Sequence, residues 1–545
     1  MLDEREFPRA GVTVAGIEAF IRMCGDRETM KGMKTLDVNE RFVKSLTAKH
    51  GTSLLEHLSA AGYDKEIKDA TMFVSHAWQF EFVEFVDALR THLTNIGEIE
   101  SAVLWIDLFS HNQHQTWDLS FQWWATTFKL AIASIGHTIL VLSPWQDPIP
   151  LRRAWCLWEV FCTVESGATL HVAMPPTERS RFLHALVHQF TDVGNIFSNV
   201  DVRKSEAFNP NDRLRIFAAV DQTVGFHGVN SAVFECLRQW LASTAHQELT
   251  HQTTHGAHDA TLSPLLHGLG LLLRDLGRPK DAEEVLRRAV DARTNTCGPH
   301  HPTTLDSLSE LSIVAKMQGR LGEAEDVCRQ VLRDRESVLG PSHPDTLASL
   351  NNLGMLHIAQ GTPHNAEPLF RRVLLHRRSM FGEEHPLTLT SINNLAALLK
   401  SLGNLEEAEL LARTAATGFE RTLGQTHPDT LNAVSGLGSI LLAVSKTDEA
   451  EHEIRRALEG REAVLGSRHP ATLRSLLNLA TVLEARGNTA EAVKTYLSVI
   501  ELRKTELGQD HPDTLNAQRA LATLQQSLAS SSPQRLADSD TTLLP

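Results

Sequence analysis

The sequence predicts a two-part protein, with an N-terminal α/β domain built on a parallel sheet and a C-terminal all-α superhelical solenoid. Two observations support this prediction. Short apolar runs alternate with amphipathic helical patterns between residues 69 and 173, and a 42-residue pattern repeats from residue 259 onward. Alternating strands and helices are typical of a parallel sheet covered on both faces. A fixed period of about 40 residues is typical of stacked helical repeats.

Composition and charge exclude several classes of protein. The 545-residue chain has 66 acidic and 52 basic residues and a formal net charge of −14, which disfavours binding to nucleic-acid phosphates. No apolar run approaches the ~20 residues of a membrane span. The charged N-terminus does not resemble a signal peptide. The six cysteines form no Cys-x-x-Cys pair, so reduced thiols and a cytoplasmic location are expected.

The chain changes character near residue 245. All nine tryptophans lie before that point, and the polar stretch 244–258 separates them from the repeats. This stretch holds four histidines: His246, His251, His255 and His258. Histidines can bind a metal ion, but no Cys or carboxylate stands at a matching spacing. A solvated linker is therefore the favoured interpretation, and no metal is predicted.

Several features of the repeat stay in register. His-Pro recurs six times at a constant interval of 42 residues: His301, His343, His385, His427, His469 and His511. Proline costs nothing in the first turn of a helix, because its missing N–H has no helical partner there. A glycine follows in step and suits a left-handed helix stop. Each unit is thus predicted to be two helices with turns, which must stack on their neighbours to bury their apolar stripes.

These patterns set the predicted domain bounds. A helical segment is expected at 1–68 and the α/β domain at 69–243. The solenoid should comprise six repeats over 259–510 and a capping helix at 511–528. The Ser-rich tail 529–545 should be disordered.

The repeats carry Asn-Asn-Leu at 351–353 and 393–395, Ala-Glu in the second helix and a Leu-Gly…His-Pro junction. In these motifs they resemble the tetratricopeptide (TPR) repeats of kinesin light chain and of nephrocystin-like proteins, over about residues 259–527. The resemblance implies a solenoid that binds a protein or peptide partner. No long heptad segment is present that could bind a kinesin heavy chain.

Three asparagines, Asn352, Asn394 and Asn478, share one register on the first helix of their repeats, opposite the stripe of Leu347 and Leu350. The resemblance places that face in a concave groove, where asparagine can hold an extended peptide backbone. The alternative is that these are ordinary polar surface positions.

A second ladder of basic residues could bind an acidic peptide: Arg287, Arg329, Arg371, Arg413 and Arg455. Each arginine follows a glutamate by four residues, which is the favourable order for an ion pair along a helix. Helix support is therefore the favoured interpretation.

In the N-terminal half, four strands are predicted at Thr71–Ser75, Ala102–Ile106, His137–Leu142 and Thr169–Ala173. Helices are predicted between them at Phe80–Leu93, Leu119–Ile135 and Ala154–Glu165. Parallel sheets bind ligands beyond the carboxyl ends of their strands, so the polar residues at those ends are expected to meet there. They are Ser75, His76, Asp107 and Ser143. No Walker A loop, GxGxxG, HExxH or GxSxG motif occurs.

Glu159 stands in an otherwise apolar helix, within Trp-Cys-Leu-Trp-Glu at 155–159. An ionised carboxylate there needs a partner or a function. Arg152 or Arg153 could be that partner.

Four segments together resemble a divergent Toll/interleukin-1 receptor (TIR) domain. They are Met-Phe-Val-Ser-His at 72–76, Trp-Ile-Asp at 105–107, Ile-Leu-Val-Leu-Ser at 139–143 and Trp-Cys-Leu-Trp-Glu at 155–159. The stretch 105–113 is also similar to fungal heterokaryon-incompatibility domains. The resemblance implies a flavodoxin-like parallel sheet and a module that can self-associate.

Some TIR domains cleave NAD+ at the nicotinamide–ribose bond, and the resemblance places their catalytic glutamate at Glu159. The polar residues at the strand ends and the rings that could stack on the substrate give six candidate residues for holding NAD+: Ser75, His76, Trp78, Asp107, Ser143 and Trp155. Two functions thus stay open. One is a non-enzymatic adaptor that needs no cofactor, and the other is a TIR-type NAD+ nucleosidase, acting in signalling or defence and regulated by the repeats.

Overall fold

The structure is a computed structural model that describes residues 7–114, 129–190, 193, 202–207, 210–222, 225–465, 470–507, 509 and 512–531. The chain divides into two compact units, Met1–Gly319 and Arg320–Pro545. The first unit holds a sheet and the first repeat helices, and the second holds the remaining repeats. Within the described ranges, no helix is long and apolar enough to cross a membrane.

A six-stranded mixed sheet forms the centre of the first unit. Its strands are β1 (Ala10–Val12), β2 (Ile67–Asp69), β3 (Met72–Ser75), β4 (Leu104–Trp105), β5 (His137–Val141) and β6 (Thr169–Ala173). They lie in the order β2-β1-β4-β3-β5-β6. Strands β3 to β6 pair in parallel, whereas β1 runs antiparallel to both β2 and β4. The parallel strands follow the flavodoxin-like order.

The sheet has two further strands at one edge that were not predicted, because the segment 1–68, expected to be helical, supplies β1 and β2. Both are three residues long, too short to show an alternating pattern. A glycine lets β1 approach its neighbour, since a Cβ at Gly11 would lie 2.7 Å from the Leu104 carbonyl oxygen. The rest of the segment is largely helical: α1 (Val14–Met23), α2 (Arg27–Met30), α3 (Thr35–Val38), α4 (Lys44–Thr47) and α5 (Leu54–Ala60).

Helices cover both faces of the sheet. They include α6 (Phe82–Asn95), α7 (Asp107–Ser110), α8 (Ala154–Glu165) and α9 (Pro176–His188). One core cluster contains Phe20, Phe85 and Phe109, and the other contains Trp105 and Leu157. Burial on both faces explains why the central strands read as continuous apolar runs. The predicted helix at 119–135 is helical over 129–135, and its first part lies outside the described residues.

The stretch 244–258 was expected to be a solvated linker, and this was wrong for most of its length. After α10 (Pro210–Gln222), helix α11 spans Gly225–Thr254. Ala245 and Leu249 are buried on α11, in one core cluster with β3 and the first repeat helices. Trp240 stacks on Phe182 of α9 with 5.5 Å between ring centroids. The physical reason is an apolar stripe at helical spacing beneath a polar surface.

From Asp259 the described chain is built of helices, as predicted for a tetratricopeptide-repeat solenoid. The first unit contains α12 (Asp259–Asp275), α13 (Pro279–Cys297) and α14 (Pro302–Met317). The second contains α15 (Leu321–Val338), α16 (Pro344–Ala359), α17 (Pro363–Phe381), α18 (Pro386–Ser401), α19 (Leu405–Leu423), α20 (Pro428–Ala443), α21 (Thr447–Leu465), α22 (Pro470–Ala485), α23 (Thr489–Leu507) and α24 (Pro512–Ser531). Helix α24 extends past the predicted end at 528, and residues 532–545 of the predicted tail lie outside the described part.

The His-Pro pair is a helix start in which both residues have a task. In four repeats the histidine is the N-cap, and its Nδ1 accepts the backbone N–H two residues later at 3.2–3.3 Å. These caps are His301, His343, His385 and His427. Proline occupies the first helical position, where it loses no hydrogen bond. The constant spacing thus reflects a repeated capping contact.

A buried arginine ties each of several second helices to the next helix. Arg335 Nη1 donates to the Asp345 carbonyl at 3.1 Å and to Ser349 Oγ at 2.9 Å. The same pattern joins Arg293 to Ser307, Arg377 to Ser391 and Arg461 to Ser475. In the repeat where Phe419 replaces the arginine, Ala433 replaces the serine. Both partners of the contact are therefore exchanged together.

Candidate functional site

The carboxyl ends of the central strands gather polar side chains, as the predicted topology required. Ser75 ends β3, Asp107 follows β4 and Ser143 follows β5. Strands β3 and β5 are neighbours in the sheet although β4 separates them in the chain. The chain therefore changes direction across the sheet between β3 and β5, and open α/β sheets bind ligands at such a switch point.

Three shielded polar atoms near this point form no hydrogen bond of ordinary geometry: Ser75 Oγ, His76 Nε2 and Glu159 Oε2. The Ser75 hydroxyl nevertheless lies close enough to the Glu159 carboxyl group to lower its pKa. Ser75 is 1% exposed and His76 is 6% exposed. An unsatisfied buried donor or acceptor costs ~1–3 kcal/mol. A ligand that supplies partners for these atoms recovers that free energy, so the cluster is the strongest candidate for a binding site in the first unit.

Glu159 reaches this cluster from helix α8. The residue as a whole is half-buried, but its Oε2 atom is shielded from solvent. Burial raises the pKa of Glu159 to about 8, the Ser75 hydroxyl opposes this shift and the negative charge of Asp107 adds to it. The carboxyl group is thus mostly protonated at neutral pH. Arg152, one of the two expected partners, instead forms an ion pair with Asp147 at 3.1 Å.

Asp107 is held in a fixed orientation beside the cluster. Trp78 Nε1 donates to its Oδ2 at 2.6 Å, and the Leu108 N–H donates to its Oδ1 at 2.7 Å. Oδ1 lies 3.9 Å from His76 Nδ1. The His76 ring stacks on Phe85 with 4.3 Å between centroids. Burial lowers the pKa of His76, and Asp107 partly offsets this effect, so His76 is neutral at pH 7.

Cys156 is a further member of the cluster that the sequence did not single out. Its Sγ donates to the His76 carbonyl at 3.7 Å, and both burial and the charge of Glu159 raise the pKa of the thiol. The signal in the sequence is its position one helical turn before Glu159. Trp155, predicted to hold NAD+, is half-buried against the core that includes Leu157, and Ser143 is buried after β5.

A separate cavity of about 400 Å³ lies beside the loop after β5 and helix α9. It is lined by Trp145, Arg181 and His184 among others. None of its lining residues belongs to the Glu159 cluster. The case for a binding site at the cluster therefore depends on its buried polar atoms and not on this cavity. The described residues include no group of three or more histidines, cysteines or carboxylates placed to hold a metal ion.

In the second unit, the predicted peptide-binding asparagines lie on the first helices of their repeats, and on α16 the residues near Asn352 that are buried include Ser349 and Leu356. Leu347 and Leu350 are buried, and a Cβ at Gly354 would lie 2.4 Å from Phe370. Asn352 and Asn394 are half-buried. Neither forms a side-chain hydrogen bond within the described chain. Their counterpart Asn478 donates a long hydrogen bond of 3.4 Å to Ser435.

The arginine ladder is neutralised within the protein. Each of the five arginines forms an ion pair with the glutamate four residues earlier, at 2.6–2.9 Å. Arg371 also binds Glu407 of the next repeat through two hydrogen bonds of 2.7 Å. Arg413 and Arg455 make the same inter-repeat contact with Glu449 and Glu491. The geometry agrees with helix support and leaves these arginines poorly placed to bind an acidic peptide.

Comparison with known proteins identifies the repeats. A tetratricopeptide-repeat family model matches residues 261–337, 317–374, 345–421, 387–462 and 429–505. Among solved structures, TPR-like repeats of a protein from Podosopora anserina described as a kinesin light chain share 27% identity and a TM-score of 0.35, covering 38% of this chain and 97% of that one.

Two further solved structures are similar. BtubC (BKLC) from P. vanneervenii shares 20% identity and a TM-score of 0.36, covering 43% of this chain and 92% of its own. The apo quorum sensor NprR from B. thuringiensis shares 13% identity and a TM-score of 0.36, covering 64% and 97%. No curated protein matches the sequence. No family model is matched by the sheet-containing region.

Proposed function

Because residues 261–505 are tetratricopeptide repeats, we propose that this protein is an interaction adaptor whose repeats bind a peptide or protein segment. The observation that supports the proposal is the pair Asn352 and Asn394, whose amides have no partner within the described chain. An amide side chain offers both a donor and an acceptor, and so matches the N–H and C=O groups of a peptide backbone. The sheet-containing region would then be an assembly or effector module that can self-associate.

The charges of the repeats favour recognition of a backbone over recognition of acidic side chains. The arginine ladder is paired within and between repeats, for example Arg371 with Glu367 and Glu407. Exposed pairs of this kind add little binding energy for an outside anion, because a ligand must first displace a carboxylate. We place the adaptor in a reducing compartment such as the cytoplasm, because its six cysteines, three of them buried, form no disulfide.

The test replaces all three asparagines of this register by alanine in the full chain. A random peptide library is first selected on the wild-type protein, and the affinity of the winning peptide is then measured for both proteins. The triple variant N352A/N394A/N478A should bind at least about tenfold more weakly, a loss of about 1.4 kcal/mol. Its melting temperature should change little, because these side chains make few internal contacts.

The matched control changes three exposed polar residues on second helices, in the variant Q330A/N365A/T414A. This control should bind the selected peptide as the wild type does. Equal affinity of the wild type and the asparagine variant would refute binding through this face. Equal loss in both variants would assign the effect to a general change in the repeats.

The unpartnered polar atoms around Glu159 favour a second candidate function, cleavage of NAD+ at the nicotinamide–ribose bond. That reaction builds positive charge on the ribose, which a nearby carboxylate stabilises. Glu159 is protonated in the free protein, but the positive charge of the nicotinamide ring would favour its ionised form. The TIR-like resemblance and the position of the cluster at the strand ends support this candidate.

Nicotinamide release by the clustered full-length protein tests the second candidate. The variant Glu159→Gln should release nicotinamide at least about 100-fold more slowly than the wild type, as is common when a charged catalytic group is lost. The control Glu165→Gln changes a residue of the same helix whose carboxylate pairs with Lys129 at the surface. Equal release by wild type and Glu159→Gln would clear Glu159 of a catalytic role. No release by the clustered wild type would leave the adaptor function alone.

A further inference from the structure

Asp107 is the fixed negative charge beside the Glu159 cluster. Both of its carboxylate oxygens accept hydrogen bonds, from Trp78 and from the Leu108 N–H, and Gln113 donates to its backbone carbonyl at 2.8 Å. No Lys or Arg forms an ion pair with it in the described part of the chain. Its charge therefore acts on the cluster without local neutralisation, and its orientation is set before any ligand binds.

The first group that faces Asp107 is the imidazole of His76. Nδ1 lies 3.9 Å from the carboxylate, on the side opposite to Nε2. A negative charge on that side favours the tautomer that carries its proton on Nδ1. Nε2 is then a hydrogen-bond acceptor, and it has no donor among the described residues. Stacking on Phe85 keeps the ring in this plane.

The second group is the carboxyl of Glu159. Asp107 and burial both favour its protonated form, and Ser75 alone opposes them. The other titratable groups near it are the protonated thiols of Cys156 and Cys162 on its own helix, and Arg153 at the start of that helix, whose charge acts on Cys156. A protonated Glu159 carries a hydrogen-bond donor, and its shielded Oε2 forms no hydrogen bond of ordinary geometry, with the Ser75 hydroxyl nearby.

We infer that Asp107 is a positioning residue that keeps one proton on Nδ1 of His76 and one on Glu159, so that the cluster offers a donor and an acceptor to a hydroxyl-rich ligand. A sugar hydroxyl both donates and accepts, so the hydroxyls of a sugar match a donor on Glu159 and an acceptor at Nε2 of His76. Only the identification of the ligand as a ribose rests on the second candidate function. The inferred protonation states concern the free protein, before any ligand binds.

The test measures these protonation states by NMR in the full-length chain. The protein is labelled with ¹³C at glutamate carboxyl groups and with ¹⁵N in histidine rings, and the two residues are assigned by difference from Glu159→Gln and His76→Gln. In the wild type, Glu159 should titrate well above the ordinary glutamate range, and the ¹⁵N shifts should place the His76 proton on Nδ1. Asp107→Asn should lower the titration midpoint of Glu159 by about 0.5–1 pH unit and reduce the Nδ1 preference.

The control Glu165→Gln removes a carboxylate from the same helix and should leave both signals unchanged. Titration of Glu159 near 4–5 in the wild type, a His76 proton on Nε2, or an unchanged Glu159 midpoint in Asp107→Asn would each overturn the inference. If Asp107→Asn fails to fold, the two wild-type measurements still decide. Absence of nicotinamide release would refute the second candidate function without altering these signals, so the two failures are distinguishable.

Discussion

Replacing the buried Arg461 by methionine tests whether the arginine contacts hold successive repeat helices together. Arg461 is 2% exposed. Its guanidinium donates to the Ala471 carbonyl at 3.1 Å, the Leu431 carbonyl at 3.3 Å, Asn432 Oδ1 at 2.6 Å and Ser475 Oγ. All four acceptors are uncharged, so methionine would keep the apolar volume of the arginine stem and remove every one of these hydrogen bonds.

The expected loss follows from the number and kind of contacts. Four hydrogen bonds at ~1 kcal/mol each sum to ~4 kcal/mol. Burying the cation offsets part of this, as shown by the pKa of Arg461, which burial lowers to about 10. A net loss of about 2–4 kcal/mol in the free energy of unfolding is therefore expected. The repeat that carries Phe419 and Ala433 suggests a partial rescue, because it lacks both the guanidinium and the hydroxyl.

The assay is a double-mutant cycle of R461F, S475A and R461F/S475A, with R461M measured alongside. Urea unfolding of the full chain gives the stabilities, and hydrogen exchange in α21 and α22 localises the loss. The double variant should be about 1 kcal/mol more stable than additivity requires. Arg456 is the matched control, because it is half-exposed and forms an ion pair with Glu420 at 2.6 Å. Its replacement by methionine should lower the free energy of unfolding by less than ~1 kcal/mol. An additive cycle, or equal losses at Arg461 and Arg456, would refute the reasoning.

Three further predictions follow from the structure. Burial and the like charge of His171 lower the pKa of His92 to about 4. Between pH 6.5 and 4 the unfolded chain therefore binds a proton at His92 and the folded chain does not, so the free energy of unfolding should fall as the pH drops from about 6.5 toward 4. The variant His92→Gln should show a weaker dependence of the urea midpoint on pH. An unchanged slope in this variant would contradict the prediction. A fragment of residues 1–243 should have a melting temperature at least about 10 °C below that of a 1–319 fragment, because it lacks the buried Leu249 and helix α12. Equal melting temperatures would contradict a core shared by the sheet and the first repeat helices. Arg371→Ala should lower the free energy of unfolding by less than ~1 kcal/mol, and should not change it at 1 M salt, because the ion pairs of Arg371 are exposed. A loss above about 2 kcal/mol would contradict this prediction.

The elements that were predictable from sequence are those set by local chemistry. The His-Pro pairs predicted helix starts because capping and the proline effect depend on neighbouring residues only. Strand β6 and helix α8 match their predicted bounds, Thr169–Ala173 and Ala154–Glu165. Their apolar runs are long enough for the period to be clear, and turn residues bound them.

The elements that were missed depend on distant partners. Strand β1 is three residues long and is a strand only because β2 and β4 pair with it. Helix α11 was hidden by its histidines and glutamines, although buried residues recur every four positions along it: Leu237, Leu241, Ala245 and Leu249. The stretch is polar on average, but its buried residues follow the helical period, and that period is the signal in the sequence.

The candidate site likewise has a part that could be predicted from the sequence and a part that could not. Topology alone placed Ser75 and Asp107 at one edge of the sheet, because parallel strands end together. The hydrogen bond from Trp78 to Asp107 and the position of Cys156 beneath His76 could not be predicted, since they depend on side-chain rotamers and loop paths. The buried arginines were predictable in principle, because Arg and Ser recur at a fixed spacing of 14 residues.

Exchange of residues between repeats separates internal contacts from external ones. Where Phe419 replaces the buried arginine, Ala433 replaces its serine. Where Leu497 replaces the ladder arginine, Val493 replaces its glutamate. In these two repeats both partners of the contact change together, whereas Arg503 is retained where Ala517 replaces the serine and donates to the Asp513 carbonyl at 2.7 Å. In the asparagine register, glycine stands at Gly436, and no matching change accompanies it because Asn352 and Asn394 have no partner within the described chain. Asn478 of the same register donates to Ser435, and Ala520 stands at the equivalent position of the last helix, so the peptide-binding proposal for this face depends on Asn352 and Asn394.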